Sequence, residues 1–459
     1  MQDLARKRVL VVGLGKSGVS SALFLSRRGA RVTVSDARAE DQLRSELPTL
    51  LDAGVAIETG GHGERTFRTQ DLIVVSPGVP ANQPQLQRAR ELGIPIIGEV
   101  ELASWFLKGK IIAITGSNGK TTTTSLCGEL LKTGGYAVQV GGNIGTPVTE
   151  LIETSTEATW NVLEISSFQL ETIESFRAHI GAVLNVTPDH LDRHGSMENY
   201  IAAKARLFEN SGPEDYAILN ADNPPSAELA MTTKAHPWMF SSERELPVGA
   251  FVRDGIVVFR ERPGEEQPVM PVSEITLKGA HNVQNVLAAV LVARAAGVAN
   301  EAIRAGVAQF KAVEHRLEFV ADINGVQYFN DSKATNVDAT VKALESFPAG
   351  VHLILGGKDK NSDYTVLIPL LKQRARRVYT VGAAADKIES HLRGSGVQIQ
   401  RAETIDRAVR AIADSAEPGD IALLAPACAS FDQFQSYEHR GRVFKELVRK
   451  LSAAERAAV

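Results

Sequence analysis

Between Lys110 and Thr124 the chain reads KIIAITGSNGKTTTT, and no other stretch limits the fold so tightly. A short β-branched run ends in a Gly-bounded turn, a Lys-Thr pair follows, and a helix-forming segment takes over. A strand, turn and helix in this succession imply an α/β sheet, and the residue types in the turn fit an ATP phosphate cradle. Gly116 and Gly119 let backbone N–H groups face phosphate oxygens, Lys120 reaches the terminal phosphates, and the Thr121 hydroxyl suits magnesium. The strict eight-residue phosphate-loop pattern would place its first glycine at Ile114, so the formal match is incomplete. A plain strand-to-helix turn without ligand is the bland reading of the same residues.

At 459 residues the chain exceeds what one hydrophobic core usually organises, so two or three domains are expected. A net charge of −4 supplies no basic field and argues against a nucleic-acid-binding protein, leaving small molecules as the expected partners. Only two cysteines occur, Cys127 and Cys428, too few for a disulfide framework, which fits reduced thiols and a cytoplasmic setting. The start, MQDLARKRVLVVGLG, pairs basic with apolar residues as a signal peptide does. Its apolar run breaks at Gly13, however, and reads as a buried first strand. Nothing approaches the ~18 continuous apolar residues of a membrane span.

Three modules follow one another, with no internal repeat or low-complexity segment. The first, about 1–108, runs from strand RVLVVG through the glycines of Gly13-Leu-Gly15-Lys-Ser-Gly18 into helix VSSALFLSRRG and strand ARVTVSD, ending at Asp36. This is a βαβ mononucleotide unit. The second, about 109–312, opens with the phosphate loop and continues through WNVLEISSFQL, IGAVLNVTPDHLDRHG and YAILNADN. It carries a hairpin at Arg253-Asp254-Gly255 and closes with helix HNVQNVLAAVLVARAAG. The third, about 313–459, alternates VHLILGG, RRVYTVG and DIALLAP with helical segments and a long helical tail from Asp432, implying a second open α/β sheet.

Taken alone, Gly13-x-Gly15-x-x-Gly18 with Asp36 after the second strand suggests a nicotinamide dehydrogenase. A complete dehydrogenase has no use for an ATP loop a hundred residues later, and the same glycines can hold the diphosphate of a UDP-linked substrate, with Asp36 facing the nucleoside. Glu164 and His190 each lie just past an apolar run, where a sheet delivers side chains to a cleft. Thr121 and Glu164 suit one magnesium ion beside the phosphates, since that ion takes oxygen ligands. Their bland counterparts are a helix hydroxyl and a solvated carboxylate. His190, among the acids Asp189 and Asp192, competes with a surface loop histidine, and Asn143 in GGNIG with a turn residue.

The motifs taken together resemble the Mur ligases over essentially the whole chain, in the D-glutamate-adding branch. They are Gly13-Leu-Gly with Ser76-Pro-Gly-Val, TGSNGKTTT, Asn143-Ile-Gly, EISSFQLE, DHLDRH, YIAAKARLF, HNVQN, EHRLE, FNDSKATN, LGGKDK and PACASFDQF. Two departures stand out. The first loop reads Gly-Lys-Ser-Gly where Leu-Thr or Arg-Ser is familiar, and Gly-Gly-Lys-Asp-Lys replaces Gly-Gly-Asp-Gly-Lys. The second leaves Lys358 and Lys360 as rivals for the substrate, with position favouring Lys360.

The resemblance implies a Rossmann-like N-terminal domain, a central P-loop ATPase-like domain with a mostly parallel sheet, and a Rossmann-like C-terminal domain. They would hold the UDP-sugar, ATP and the incoming amino acid. Lys120, Glu164, His190 and Lys204 would be catalytic, with Thr121, Glu164, His190 and Lys204 around two Mg2+ ions and Lys204 carried as a carbamate. ATP would meet Gly116, Ser117, Asn118, Gly119, Lys120, Thr121, Thr122, Asn282, Asn285, Arg316, Asp331 and Lys333. Gly15, Asp36, Ser76, Pro77, Gly78 and Asn143 would hold UDP-N-acetylmuramoyl-L-alanine, and Thr335, Lys360, Ser430, Phe431 and Tyr437 would hold D-glutamate. The implied reaction is ATP-dependent amide formation through an acyl phosphate, by a monomer. Another Mur-type amide ligase, or a P-loop ATPase switch or NAD-binding regulator, is the alternative. Without the resemblance, Lys204 would read as a solvated helix lysine.

Overall fold

Apolar runs without polar alternation are what a sheet covered on both faces requires, and three such sheets organise the chain. The structure, a computed structural model, describes residues 3–80, 82–277, 279–311 and 314–456; the side chains of Asp192 and of residues 452–456 are outside that description, as is the expected boundary at 312/313. The first sheet holds β1 (Arg8–Val12), β2 (Arg31–Asp36), β3 (Ala56–Thr59), β4 (Leu72–Val75) and β5 (Ile96–Gly98). Its order is β3-β2-β1-β4-β5, all parallel. Val9 and Val11 face one apolar layer with Phe24 and Leu25 of helix Lys16–Arg27, while Leu10 and Val12 face Phe67 and Leu86 on the other side.

The central sheet comprises β6 (Lys110–Thr115), β7 (Ala137–Gly142), β8 (Thr159–Glu164), β9 (Ile180–Val183), β10 (Tyr216–Asn220), β11 (His236–Ser241), β12 (Gly249–Arg253), β13 (Ile256–Arg262) and β14 (Glu265–Pro271). In the order β14-β13-β12-β11-β10-β9-β6-β8-β7, the strands from β7 to β12 pair in parallel and β13 and β14 antiparallel. The expected hairpin turn is there: Asp254 and Gly255 take positive φ (49° and 74°) between paired Arg253 and Ile256, as a two-residue turn requires. Strand β14 was not anticipated. Its segment EEQPVMP is exposed over its first half, so no apolar alternation announces it.

The third sheet comprises β15 (Glu318–Ile323), β16 (Val326–Asn330), β17 (Val351–Gly356), β18 (Ala375–Val381), β19 (Ile399–Glu403) and β20 (Ile421–Leu424) in the order β15-β16-β20-β17-β18-β19. Only β15 is antiparallel. The tail helix, expected from Asp432, spans Tyr437–Arg456; the Ser436 hydroxyl accepts the His439 N–H at 3.2 Å and sets the start. One continuous apolar cluster runs through the first two domains, from Val9 and Phe24 to Leu163, Phe176 and Leu219. The third domain keeps its own two clusters, one on each face of its sheet.

Candidate active site

In each sheet the loops that follow neighbouring parallel strands gather at one edge, where open α/β sheets bind ligands. At the C-terminal ends of β1, β2 and β4 lies a cavity of about 400 Å³ lined by Gly13, Gly15, Asp36, Ser76, Pro77 and Gly78, among others. The Ser76 hydroxyl donates to the Gly13 carbonyl at 2.7 Å. Gly18 sits so close to that carbonyl that a Cβ would approach it to 1.9 Å. Asp36 accepts the Leu14 N–H at 2.7 Å and pairs with Arg38. Burial alone would raise its carboxyl, but those bonds pull it down to about 2. Arg38, passed over in the sequence, therefore covers the acid expected to face a nucleoside.

The phosphate loop leaves β6 and enters helix Lys120–Thr133. Gly119 has φ 83°, and a Cβ there would lie 2.2 Å from Asn285 Oδ1, so only glycine keeps the loop open at this point. Lys120 Nζ donates to the carbonyls of Gly116 and Ser117 at 2.8 and 2.9 Å, and burial lowers its pKa. Thr121 donates to Glu164 Oε2 at 2.7 Å, and Asn143 Nδ2 donates to Oε1 at 2.8 Å. Lys333, from the third domain, donates to the Thr121 hydroxyl, and burial pushes its pKa down to about 8. Glu164 is delivered here because β8 pairs directly with β6, opposite Ile114. Thr122 is buried behind the loop.

Asp189 lies at the centre of this arrangement and was absent from the expected residues. Its carboxylate accepts Asn336 Nδ2 at 2.9 Å, faces Lys360 Nζ at 3.5 Å and stands 3.6 Å from His190 Nε2. Burial would raise its pKa, but the Lys360 and His190 charges keep it low. The signal was its place beside His190 in DHLDRH. Lys204 is fully enclosed: Nζ reaches Thr115 Oγ1 at 3.3 Å and stands 4.6 Å from the Tyr200 ring. Among the described residues no acid pairs with it, and burial with the nearby Lys120 pushes its pKa well down.

A cleft of about 680 Å³ joins Pro77, Ser117, Lys120, Thr121, Asn143, Glu164, His190, Arg316, Lys333, Thr335 and Tyr437. Opening beside it are two further cavities. One, of about 230 Å³, is lined by Asn118, Gly119, Asn285, Arg316 and Asp331. There, among the described residues, Asp331 Oδ1 and Arg316 Nε are buried without partners, and burial raises Asp331 to about 6. Asn282 stands behind it, accepting Asn285 Nδ2 at 2.9 Å. The other, of about 440 Å³, is lined by Lys120, Asn143, His190, Lys204, Thr335, Lys360, Ser430, Phe431 and Tyr437. Its third-domain residues come from the loops after β16, β17 and β20, which are adjacent in the sheet, and from the start of the tail helix. Lys360 faces the cavity, whereas Lys358 is exposed and tied to Ala429 through its backbone. Phe431 is 67% exposed, so it forms a rim and not a wall.

Comparison with known proteins agrees with this architecture. Residues 7–98 match the Mur ligase MurD-like N-terminal domain, residues 114–293 the Mur ligase middle domain, and residues 315–428 the Mur ligase glutamate ligase domain. The chain is 63% identical to the UDP-N-acetylmuramoylalanine--D-glutamate ligase of Koribacter versatilis, over 99% of this chain and 100% of that one. It is 60% identical to the protein of the same name from Acidobacterium capsulatum, over 97% of each. Among solved structures, a pseudomurein peptide ligase type C from Methanothermus fervidus superposes with a TM-score of 0.61 at 19% identity, over 97% of this chain and 100% of that one. The UDP-N-acetylmuramate-alanine ligase from Thermotoga maritima gives 0.61 at 18% identity, over the same shares. At such identities the two structures speak for the fold alone. Among the described residues no helix is long and apolar enough to cross a membrane.

Proposed function

Since the chain belongs to the Mur ligase family, we propose that it adds D-glutamate to UDP-N-acetylmuramoyl-L-alanine in peptidoglycan precursor synthesis, driven by ATP through an acyl phosphate. The observation that carries the reading is one cleft with two further cavities opening beside it and the phosphate loop between them. A carboxylate is a poor electrophile until one oxygen becomes a good leaving group. ATP supplies that by giving its γ-phosphoryl group to the terminal alanine carboxylate. The D-glutamate amine then attacks the acyl carbon, a proton leaves the nitrogen, and the tetrahedral intermediate expels phosphate.

In this reading the glycine cradle and Lys120 bind the phosphates. Asp331 and Arg316, each with a buried atom that has no partner among the described residues, take the ribose and a phosphate, and Asn282 and Asn285 the rest of the nucleotide. The Gly13–Gly18 loop with Ser76, Pro77 and Gly78 holds the UDP-sugar. The oxygen-rich group of Thr121, Glu164 and a carbamate on Lys204, joined by His190, fits Mg2+. When bound, that ion supplies charge neutralisation on the transferring phosphoryl oxygens. Lys204 suits carbamate formation because burial favours its neutral amine: Nζ bonds to the carbon of CO2, loses a proton and becomes an anion. Lys360, Thr335 and Ser430 meet the two acid groups of D-glutamate. Phosphate release measured with ATP and UDP-N-acetylmuramoyl-L-alanine should depend on D-glutamate and not on L-alanine or diaminopimelate. Release that follows one of the other amino acids, or none, would sink the reading.

A further inference from the structure

An acid stands between the two lysines of Gly-Gly-Lys358-Asp359-Lys360, where it has every opportunity to quench the cation assigned to the amino acid. The structure gives Asp359 other partners. Oδ1 accepts the Tyr364 hydroxyl at 2.7 Å and the Ser362 N–H at 3.1 Å. Oδ2 accepts the Asn361 N–H at 3.0 Å and Lys387 Nζ at 2.7 Å. Burial would raise this carboxyl, but Lys387 and Tyr364 hold it below its ordinary value. The bonds to Asn361 and Ser362 close the loop on itself, with Asn361 in the left-handed region at φ 60°. The bond to Tyr364 reaches further, because that hydroxyl also lies 3.0 Å from Cys428 Sγ. Two backbone bonds between Lys358 and Ala429, at 2.8 and 3.1 Å, fasten the same pair of loops.

One carboxylate thus joins three segments: its own loop, helix Ala385–Leu392 through Lys387, and the Cys428–Ser430 loop through Tyr364. Lys360 and Ser430 leave this junction on the cavity side. A long lysine side chain gains little by contacting a ligand if its backbone must first be ordered, and an unneutralised acid one residue away would compete for its charge. We propose that Asp359 is a positioning residue for the amino-acid pocket. Its four bonds fix the 358–364 loop against the Ser430 loop, and Lys387 takes its charge, so that Asp359 adds no second acid to Asp189 in competing with a substrate carboxylate for the Lys360 ammonium. The inference rests on the D-glutamate reading above and joins Asp359 of the LGGKDK segment to Tyr364 and Lys387, which lie outside the family markers.

The test is steady-state kinetics on the full chain, with the wild type first shown to consume D-glutamate. Should it fail there, the functional reading and this inference fall together. Given that activity, Asp359→Asn should raise the D-glutamate KM about tenfold while the ATP KM stays within about twofold. Tyr364→Phe and Lys387→Met should move the D-glutamate KM the same way, by about threefold. In a Lys360→Met background, Asp359→Asn should add less than about twofold, because it acts through the lysine already removed. The inference is overturned if Asp359→Asn leaves the D-glutamate KM unchanged, shifts every kinetic constant alike, or keeps its full effect in the Lys360→Met background. If Asp359→Asn does not fold, Tyr364→Phe and Lys387→Met decide, and an unchanged D-glutamate KM in both overturns it.

Discussion

The two domain junctions of this molecule are built from different materials. Between the first and central domains, apolar side chains form one continuous cluster. Within that junction the buried Glu101 accepts the N–H groups of Glu174, Ser175 and Phe176 at 2.8–2.9 Å. Arg193 adds a strut, donating to the carbonyls of Pro77 and Val79 at 2.9 and 3.1 Å. Between the central and third domains the contacts are polar. Asp338 accepts Asn118 Nδ2 at 2.6 Å and Thr187 Oγ1 at 3.2 Å, and Asn336 and Lys360 meet Asp189. Lys333 meets Thr121. Apolar burial is lost in full when a junction opens, whereas polar pairs exchange for water at little net cost. The first junction is therefore a fixed frame. The second is a docking contact made by the same loop proposed to hold ATP, so on that proposal nucleotide binding and docking would be coupled.

Three perturbations sharpen the contrast. The largest effect belongs to Glu101→Ala, which strands three backbone N–H groups in the fixed junction. Urea unfolding should show a loss of about 2–4 kcal/mol, and a loss no larger than that of an exposed alanine substitution would contradict the frame. The next lies at Glu99, where Oε1 accepts the Thr149 N–H at 2.8 Å and Oε2 is buried with no partner among the described residues. Burial raises its pKa from 4.5 to about 7. The folded state holds this proton more tightly, so its contribution is complete below pH 4.5 and is lost as pH rises through about 7. Relative to Glu99→Gln, the wild type should weaken across that window, and parallel stability curves would refute this. The smallest change is expected from Asp338→Ala at the docking contact. Its unfolding free energy should shift by less than about 1 kcal/mol, while X-ray scattering should report a more extended average shape. A large stability loss without a shape change would mean that both junctions are frames.

What could be read in advance divides along the same line. The phosphate loop, Glu164 and the glycines of the first domain were legible because each is a local motif whose chemistry fixes the residue type. Asp338 was not, because its partner Asn118 lies 220 residues away and nothing local marks the acid as a docking group. Arg38 escaped for a simpler reason: an exposed-looking arginine two residues past Asp36 reads as a surface charge until the turn folds it back. The turn Asn324-Gly325, with φ 53° and 80°, carries the strongest short hairpin signal there is. It was still missed, since β15, EFVADI, is only partly covered and its apolar residues do not alternate with polar ones. The roles of Lys360 and Ser430 came from the resemblance, which also left Lys358 as the rival of Lys360.

The chemistry proposed for the cleft makes one demand that no other fate of ATP shares. If the alanine carboxylate is phosphorylated and then attacked by an amine, one carboxylate oxygen must depart with the phosphate. UDP-N-acetylmuramoyl-L-alanine labelled with oxygen-18 in that carboxylate, incubated with ATP and D-glutamate, should yield an amide product that has kept one label and inorganic phosphate that has gained the other, in equal amounts by mass spectrometry. Unlabelled phosphate, or phosphate released with no amide formed, would contradict the account.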